Sequence, residues 1–554
     1  MSADLVIRGG TVVDGTGKPG QRADVAVTDG IVTEVGDGLS GDRKLDAGGH
    51  VVAPGFIDIH THYDAQVFWD PALTPSSWHG VTTVVAGNCG FSIAPCRPEH
   101  QDLLVHTLEH VEDMSPATLE AGVPWDFETF PEYLDSVERH GTVINYAAYI
   151  GHTALRLYVM GDEGYTRAEA TDDELARMAD VVREAIAAGA AGFASSSSAT
   201  HSGDQGRPVP SRLGDVREVE ALLAPLGELG RGVAELLPGE RIKHQDAYDL
   251  AKKVGCPITW TALLTLKGHP WHEGMAELNT KERALGADVW PQVSVRPLMF
   301  QMNMIEPFPL QMVPAFRDLM GKSVEEKLTR YRDPEWRRNA QDEVDNGKFF
   351  RPRWNTFAVA ETAAHPELLG RPLDELAEER GVNALDVMLD VAASENLETR
   401  FSSVLANDDE DGIAFLLQQD GMLLGLSDAG AHVSQLCDAC APTDLLGRWV
   451  REKEVIGLEA AVRKLTGEPA DVYSMTDRGY VRPGAVADLA VFDPETVAPG
   501  PLRRVRDFPA DGERLVADKP EGMAHVLVGG TPIRVDGTPV EEALAAKPGK
   551  LIRG

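Results

Sequence analysis

Apolar and polar positions alternate in short runs at the start of the chain. Leu5-Val6-Ile7-Arg8 stops at Gly9-Gly10, Thr11-Val12-Val13 follows, and Asp24-Val25-Ala26-Val27 turns through Asp29-Gly30 into Ile31-Val32-Thr33. Runs of this length broken by glycine and Asp-Gly predict strands and tight turns, hence a small all-β unit. Residues 481–535 repeat the style, with Ala487-Asp488-Leu489-Ala490-Val491-Phe492 and Val526-Leu527-Val528-Gly529-Gly530 as strand and turn signals. The match predicts one small β-sandwich domain built from both chain ends, residues 1–54 and 481–554, around a larger unit over 55–480.

Within that larger unit the period changes. Thr171-x-x-Glu174 is a capping box, and Leu175, Met178, Val182 and Ile186 continue at helical spacing until Gly189. The apolar run Ala191-Gly192-Phe193-Ala194-Ser195 comes next, and a helix over 246–254 stops at Gly255 before Pro257-Ile258-Thr259-Trp260-Thr261. Alternating helix and strand implies a parallel sheet. Candidate strands fall at 55–60, 81–88, 143–150, 191–196, 231–236, 257–263, 287–295 and 421–427. Eight strands separated by helices make an α/β chain with a (β/α)8 TIM-like barrel. The competing arrangement is an open doubly wound sheet, but no Gly-x-Gly-x-x-Gly or phosphate-loop lysine follows any of these strands.

Composition narrows the function classes. The 554 residues carry 87 acidic and 52 basic side chains, a net charge of −35, so the averaged field repels nucleic acid and anionic lipid. No apolar run reaches the roughly 18 residues that a bilayer requires. The expected partner is therefore a small molecule, with no nucleic acid and no membrane, and a homo-oligomer left open. Five cysteines are too few for a disulfide scaffold, and the opening MSADLVIRGG lacks the parts of a secretory signal, so a reducing, cytoplasmic setting is expected. Cys437-x-x-Cys440 offers half of a zinc or redox site, but no second pair exists. The acidic stretch 407–411 lacks the alternation of a calcium loop and reads as a solvated loop or helix start.

The chemistry of a barrel gathers at the carboxyl ends of its strands. Phe56-Ile57-Asp58-Ile59-His60-Thr61-His62 runs from an apolar strand into His-x-His. In an extended chain a period of two places both imidazoles on one side, a pair suited to a divalent transition metal. The second strand delivers Cys89 between Asn88 and Gly90, either as a metal-binding thiolate or as a small buried residue. The last strand carries Asp428 out of an apolar run, where a carboxylate can hold a metal and accept a proton from water.

These segments resemble the amidohydrolase superfamily, and within it the D-aminoacylase (N-acyl-D-amino-acid deacylase) group. The resemblance is carried by residues 5–15, Pro54 to His62, Gly87-Asn88-Cys89-Gly90, Ser427-Asp428, and the return Arg478-Gly479 followed by residues 482–493. It implies a metal-dependent barrel with His60, His62 and Asp428 as site residues, and with Cys89 replacing the carboxylated lysine of many relatives. Gly151-His152-Thr153 and Leu155-Arg156 are similar to a family segment, which makes His152 a candidate substrate contact. D-aminoacylases also carry metal-binding histidines at the ends of strands five and six, whereas here those strands read Gly232 to Pro238 and Ile258 to Leu264 with no histidine, and the lysine that usually follows is missing. The expected repair is one metal set of His60, His62 and Asp428 with Cys89 or Glu235 as the fourth ligand, with one or two divalent ions, zinc first. His201 after strand four, and Arg212 and Arg296, are further candidates for substrate binding. The expected activity is metal-dependent hydrolysis of a linear amide, in an N-acyl (D-)amino acid or related small amide, with Asp428 relaying the proton to the leaving amine. The rivals are a cyclic-amide or lactone hydrolase on the same barrel, and a non-catalytic binding or assembly protein that has lost its metal.

Overall fold

The computed structural model describes residues 2–203, 206–308, 310–347 and 350–554. Its described residues form two compact units, one made of residues 1–296 and 409–554 and the other of 297–408.

In the first unit, eight parallel strands follow the expected positions: β6 (Phe56–Asp58), β7 (Val81–Ala86), β8 (Asn145–Gly151), β9 (Gly192–Ser196), β10 (Val233–Leu237), β11 (Ile258–Trp260), β12 (Val289–Val293) and β16 (Leu423–Leu424). They pair in chain order from β6 to β16. Just beyond the two outermost strands, Thr61 bridges Ala429 in parallel and His62 N donates to Ala429 O at 2.7 Å, which brings the last strand back to the first. The chain is thus an α/β protein with a TIM-like barrel.

The helices between the strands form for the reasons legible in their sequences. Thr171 and Glu174 make both bonds of the capping box that opens Asp172–Ala188; Leu175, Met178, Val182 and Ile186 are its buried face, and Gly189, at φ 106°, ends it. Gly255, at φ 78°, ends His244–Val254 in the same way. A left-handed residue there satisfies the last carbonyls, and glycine adopts it without a Cβ penalty. Within 407–411, Asp409 is the N-cap of helix Glu410–Leu417 and accepts from Gly412 N.

The chain ends pair in one nine-stranded sheet. Its members are β1 (Ala3–Val12), β2 (Gln21–Thr28), β3 (Ile31–Gly36), β4 (Gly41–Asp46), β5 (Val51–Pro54), β17 (Leu489–Phe492), β20 (Met523–Val528), β21 (Thr531–Val535) and β22 (Thr538–Pro539). The junction between the termini is the antiparallel β5·β17 pair. Because β1 pairs with β4 along its first half and with β5 along its second, the strands divide about β1 and enclose Leu5, Ile7, Val25, Val27, Val52, Leu489, Val491 and Leu527. Asp488 fastens this sheet to the barrel: it accepts from Arg478 Nη1 at 2.6 Å and from Asn145 Nδ2 at 2.9 Å. The strands β18 (Leu502–Phe508) and β19 (Gly512–Ala517) form a separate hairpin.

The second unit differs from the expectation of one body over 55–480. Residues 297–408 form a three-stranded antiparallel sheet of β13 (Leu298–Met302), β14 (Phe357–Glu361) and β15 (Arg400–Ala406), with β15 in the middle. Helices cover a core that includes Phe316, Tyr331, Leu373, Leu385, Met388 and Phe401. An apolar core complete within the insertion is what makes it a unit of its own.

Candidate metal centre

His60 and His62 follow β6, and the period of two holds through them: their rings lie 5.5 Å apart between centroids. Both are buried, His60 completely. Ser427 donates to Asp58 Oδ2 at 2.6 Å, which ties the base of this strand to the loop that carries Asp428. Asp428 Oδ1 then lies 3.2 Å from His60 Nε2 and 3.3 Å from His62 Nε2, so one carboxylate oxygen faces both imidazoles. The backbone reaches this arrangement through left-handed residues, Leu426 at φ 56° and Asp428 at φ 49°. Such conformations persist in non-glycine residues only where the surroundings hold them, as they often do at functional sites.

Cys89 arrives on a tight turn after β7. Gly87, Cys89 and Gly90 all have positive φ, at 82°, 54° and 79°. Glycine is required at the first, where a Cβ would meet Tyr149 O at 2.6 Å. The Asn88 amide donates to Thr61 O and Val85 O, locking the turn against the two strands. The thiol ends 3.6 Å from His60 Nε2, and donor atoms of His60, His62 and Cys89 all lie within 4.8 Å of one another.

Behind the trio stand groups that aim it. His60 Nδ1 faces Gln292 Oε1 at 2.8 Å, and Gln292 Nε2 donates to Thr259 Oγ1 at 3.2 Å; with the amide so oriented, Nδ1 carries the proton and Nε2 is left to bind. Thr261 Oγ1 is 3.2 Å from the same Nδ1. Glu112 Oε1 comes within 3.1 Å of His62 Nδ1, although not in line for a hydrogen bond. A carboxylate or amide on the far side of a ligating imidazole fixes its ring and raises its basicity.

Burial alone would lower both imidazoles, but Cys89 and Asp428 beside His60, and Glu112 and Asp428 beside His62, hold them well above the usual histidine range. Burial would raise Asp428, yet its contacts with His60 and His62 keep it well below the usual carboxylate range. At Asp58 and Asp64 burial outweighs the bonds from Ser427 and Gly87 and the neighbouring imidazoles, and pushes them up to about 6 and about 7. Two imidazoles and a thiolate are donors that suit a borderline-soft divalent ion, and an anion close to them balances its charge. The residues present fit a metal.

The amidohydrolase family profile matches residues 43–533. The chain belongs to the amidohydrolase family. This amidohydrolase is 28% identical to the N-acyl-D-glutamate deacylase of Alcaligenes xylosoxydans xylosoxydans, over 99% of its own length and 96% of the relative's. It superposes on a D-aminoacylase studied for its binuclear metal centre with a TM-score of 0.68, 26% identity and full coverage of both chains. An N-acyl-D-glutamate deacylase from Bordetella bronchiseptica, solved with zinc and a phosphonate inhibitor, gives a TM-score of 0.66 and 25% identity, again over both whole chains. The resemblance to the D-aminoacylase group noted in the sequence therefore holds along the whole amidohydrolase chain.

The other expected residues are placed differently. Glu235, on β10, is fully buried but lies outside the trio; its Oε2 accepts from Cys89 N at 2.8 Å, and burial raises its pKa. His152 was expected to touch substrate, but both ring nitrogens are committed, Nδ1 to Ser195 Oγ at 2.8 Å and Nε2 to Glu218 Oε1 at 2.7 Å. Glu218 also receives Arg156, so this histidine belongs to a buried charge network. Arg212 donates through Nη1 to His201 O at 2.9 Å and through Nη2 to Glu240 Oε2 at 2.8 Å, holding the loop, while its buried Nε has no hydrogen-bond partner. Arg296 binds Asp438 at 2.6 Å and Asp444 at 3.1 Å, the first in a loop and the second at the end of the short helix Ala441–Asp444 that follows it. His201 packs its ring 5.0 Å from that of Phe91 and bonds Ser196 Oγ through Nδ1 at 2.8 Å. Burial, reinforced by His432, lowers it to about 3, so His201 is neutral and senses the field of Asp428 and His62.

The sequence reading missed Gln292, Glu112 and Asp58. Gln292 had a signal, an amide in the otherwise apolar run Val289-Trp290-Pro291-Gln292-Val293. Asp58 also had one, since it precedes His60 by the same period of two. Glu112 had none, because it ends the helix Gln101–Glu112 and meets His62 only through the fold. Cys437 and Cys440 are buried free thiols, with Cys440 donating to Cys437 O, and they form no metal cluster among the described residues. No helix among the described residues is long and apolar enough to cross a membrane.

Proposed function

We propose that this amidohydrolase cleaves the amide bond of an N-acyl-D-amino acid or a closely related small amide, using zinc held by His60, His62 and Cys89 with Asp428 alongside. The observation that carries the reading is the single oxygen of Asp428 set 3.2 Å and 3.3 Å from the two imidazoles. A relic would not need a carboxylate anion poised between two metal-type donors. A divalent ion in this donor set supplies Lewis acidity toward an amide carbonyl.

The rest of the chemistry falls to the chain. Asp428 is anionic and placed to accept the proton of an attacking water, then to return it to the leaving amine, a relay worth roughly 10²–10⁴ in rate. His60 is kept in one orientation by its bond to Gln292, and the Glu112 carboxylate stands 3.1 Å from His62 Nδ1, so the site needs little reorganisation during the reaction. The acyl-amino-acid substrate class is supported by the full-length likeness to deacylases of N-acyl-D-glutamate and to D-aminoacylase.

The test is a panel of N-acetyl-D-amino acids, their L-enantiomers, hydantoins and lactones, each incubated with zinc-loaded protein while released amine or acid is measured. Hydrolysis of the D-series amides is expected to lead the panel. Turnover of hydantoins or lactones with the linear amides untouched would move the assignment to the cyclic substrates.

A further inference from the structure

Taking the metal-dependent reading above as its basis, we propose that this chain holds a single divalent ion, on His60, His62 and Cys89 with Asp428 beside it, and that Glu235 is a positioning residue which fixes the Cys89 turn.

Two catalytic ions in one site stand about 3.5–4 Å apart, and each requires its own donors, typically three from the protein. A second ion here would lie toward the ends of β10, β11 and β12. Those strands present Glu235, Thr259, Thr261 and Gln292, with Glu235 and Thr259 side by side in register. The neutral groups are already used: Gln292 Oε1 is paired with His60 Nδ1, Gln292 Nε2 donates to Thr259, and Thr261 stands 3.2 Å from the same Nδ1. They make a scaffold that aims one imidazole. A second ion would be left with the shared Cys89 sulfur and a carboxylate already bonded to backbone, too few donors to keep it.

Glu235 has a task in this arrangement. The Cys89 residue it grips is left-handed at φ 54°, between glycines at 82° and 79°, a conformation that a side chain adopts only under restraint. The bond from Cys89 N to Glu235 Oε2, 2.8 Å, is that restraint, and it points the thiol at His60. The other oxygen, Oε1, is buried without a hydrogen-bond partner. It is the atom a second ion would have to use, so it is where the proposal is tested.

Full-length protein is stripped with a chelator, titrated with Zn²⁺, desalted and analysed for bound metal; a parallel titration with Co²⁺ follows the thiolate-to-cobalt charge-transfer absorption. The parent is expected to bind one equivalent and to show the band, and C89S to lose it. Glu235→Gln keeps an oxygen for the Cys89 N–H, so it should keep one equivalent and the parent's band. Glu235→Ala should still reach one equivalent at saturation, with affinity lowered about 10–100-fold and the band weakened, as for loss of an outer partner of a ligand. Two equivalents in the parent, falling to one in Glu235→Gln, would overturn the proposal while leaving a metal-dependent hydrolase intact. An unaltered band and affinity in Glu235→Ala would overturn the positioning role alone. No bound metal in the parent would overturn the hydrolase reading together with this one.

Discussion

At the barrel mouth, the side formed by β6, β7 and β16 brings two imidazoles, a thiol and a carboxylate within a few ångströms of one another, while the side formed by β10, β11 and β12 ends in a carboxylate, two hydroxyls and an amide that bond to the first side or to one another. Both halves lie at strand ends of the same parallel sheet. They differ in what their polar atoms are free to do. On one side lone pairs converge on a common point, which is what a cation needs; on the other Gln292, Thr259 and Thr261 are paired and Glu235 holds Cys89 N through one oxygen, leaving only its Oε1 without a hydrogen-bond partner, which is closer to what a rigid support needs. The lesson is that neighbouring strand ends of one barrel can differ in kind, one group set to converge and the other set to brace, within a single parallel sheet.

The largest effect that could break this comparison is on metal retention. His60→Ala with His62→Ala should remove most bound zinc, measured by elemental analysis, with circular dichroism unchanged, because a catalytic metal adds to a barrel already built. Full metal content in that double variant would mean that the converging half is not the metal site.

Next in size is Asp428→Asn, which keeps the shape and an oxygen but is a very weak base. With metal content confirmed, kcat should fall by about 10²–10⁴ on any amide the parent hydrolyses. Unchanged turnover would shift the proton relay to another group.

A third test separates site histidines from His152. Glu218, 2% exposed, bonds His152 and Arg156 and is held at about 2, because those partners outweigh the burial that would raise it. A depressed carboxylate stabilises the fold above its ordinary value of about 4.5, and that contribution is lost as pH falls from about 4.5 toward 2. Glu218→Ala strands a buried guanidinium and should cost about 3–5 kcal/mol in denaturant melts at neutral pH. Glu218→Gln should flatten the loss of stability below pH about 4.5. Neither variant should change bound metal; a loss of metal would draw His152 and its partners into the converging half.

The smallest effect tests the bracing half. Gln292→Met removes the amide that orients His60 and should weaken Zn²⁺ binding about 10–100-fold in competition with a chelating dye, without changing the number of ions bound. An unaltered affinity would leave Gln292 as packing only.

Much of this molecule was legible before its fold. Eight strand positions, the capping box at Thr171 and the placement of His60, His62, Cys89 and Asp428 after strand ends follow from local rules of period and turn chemistry, and the pairing of the chain ends was signalled by their matching strand-and-turn pattern. These signals are local because a strand's facing and a helix's cap depend on residues a few positions apart. The insertion 297–408 was not legible as a unit, since its helices and strands look like more barrel until its own core closes. Nor were the fates of the charged candidates. Arg296 meets Asp438 and Asp444 across more than a hundred residues, His152 meets Glu218, and Glu112 meets His62. The sequence by itself determined which residues could bind a metal, because that is a property of side-chain chemistry and strand period. Only the tertiary structure decided which polar groups were left free to do so, because a buried charge takes the nearest partner that the fold brings to it.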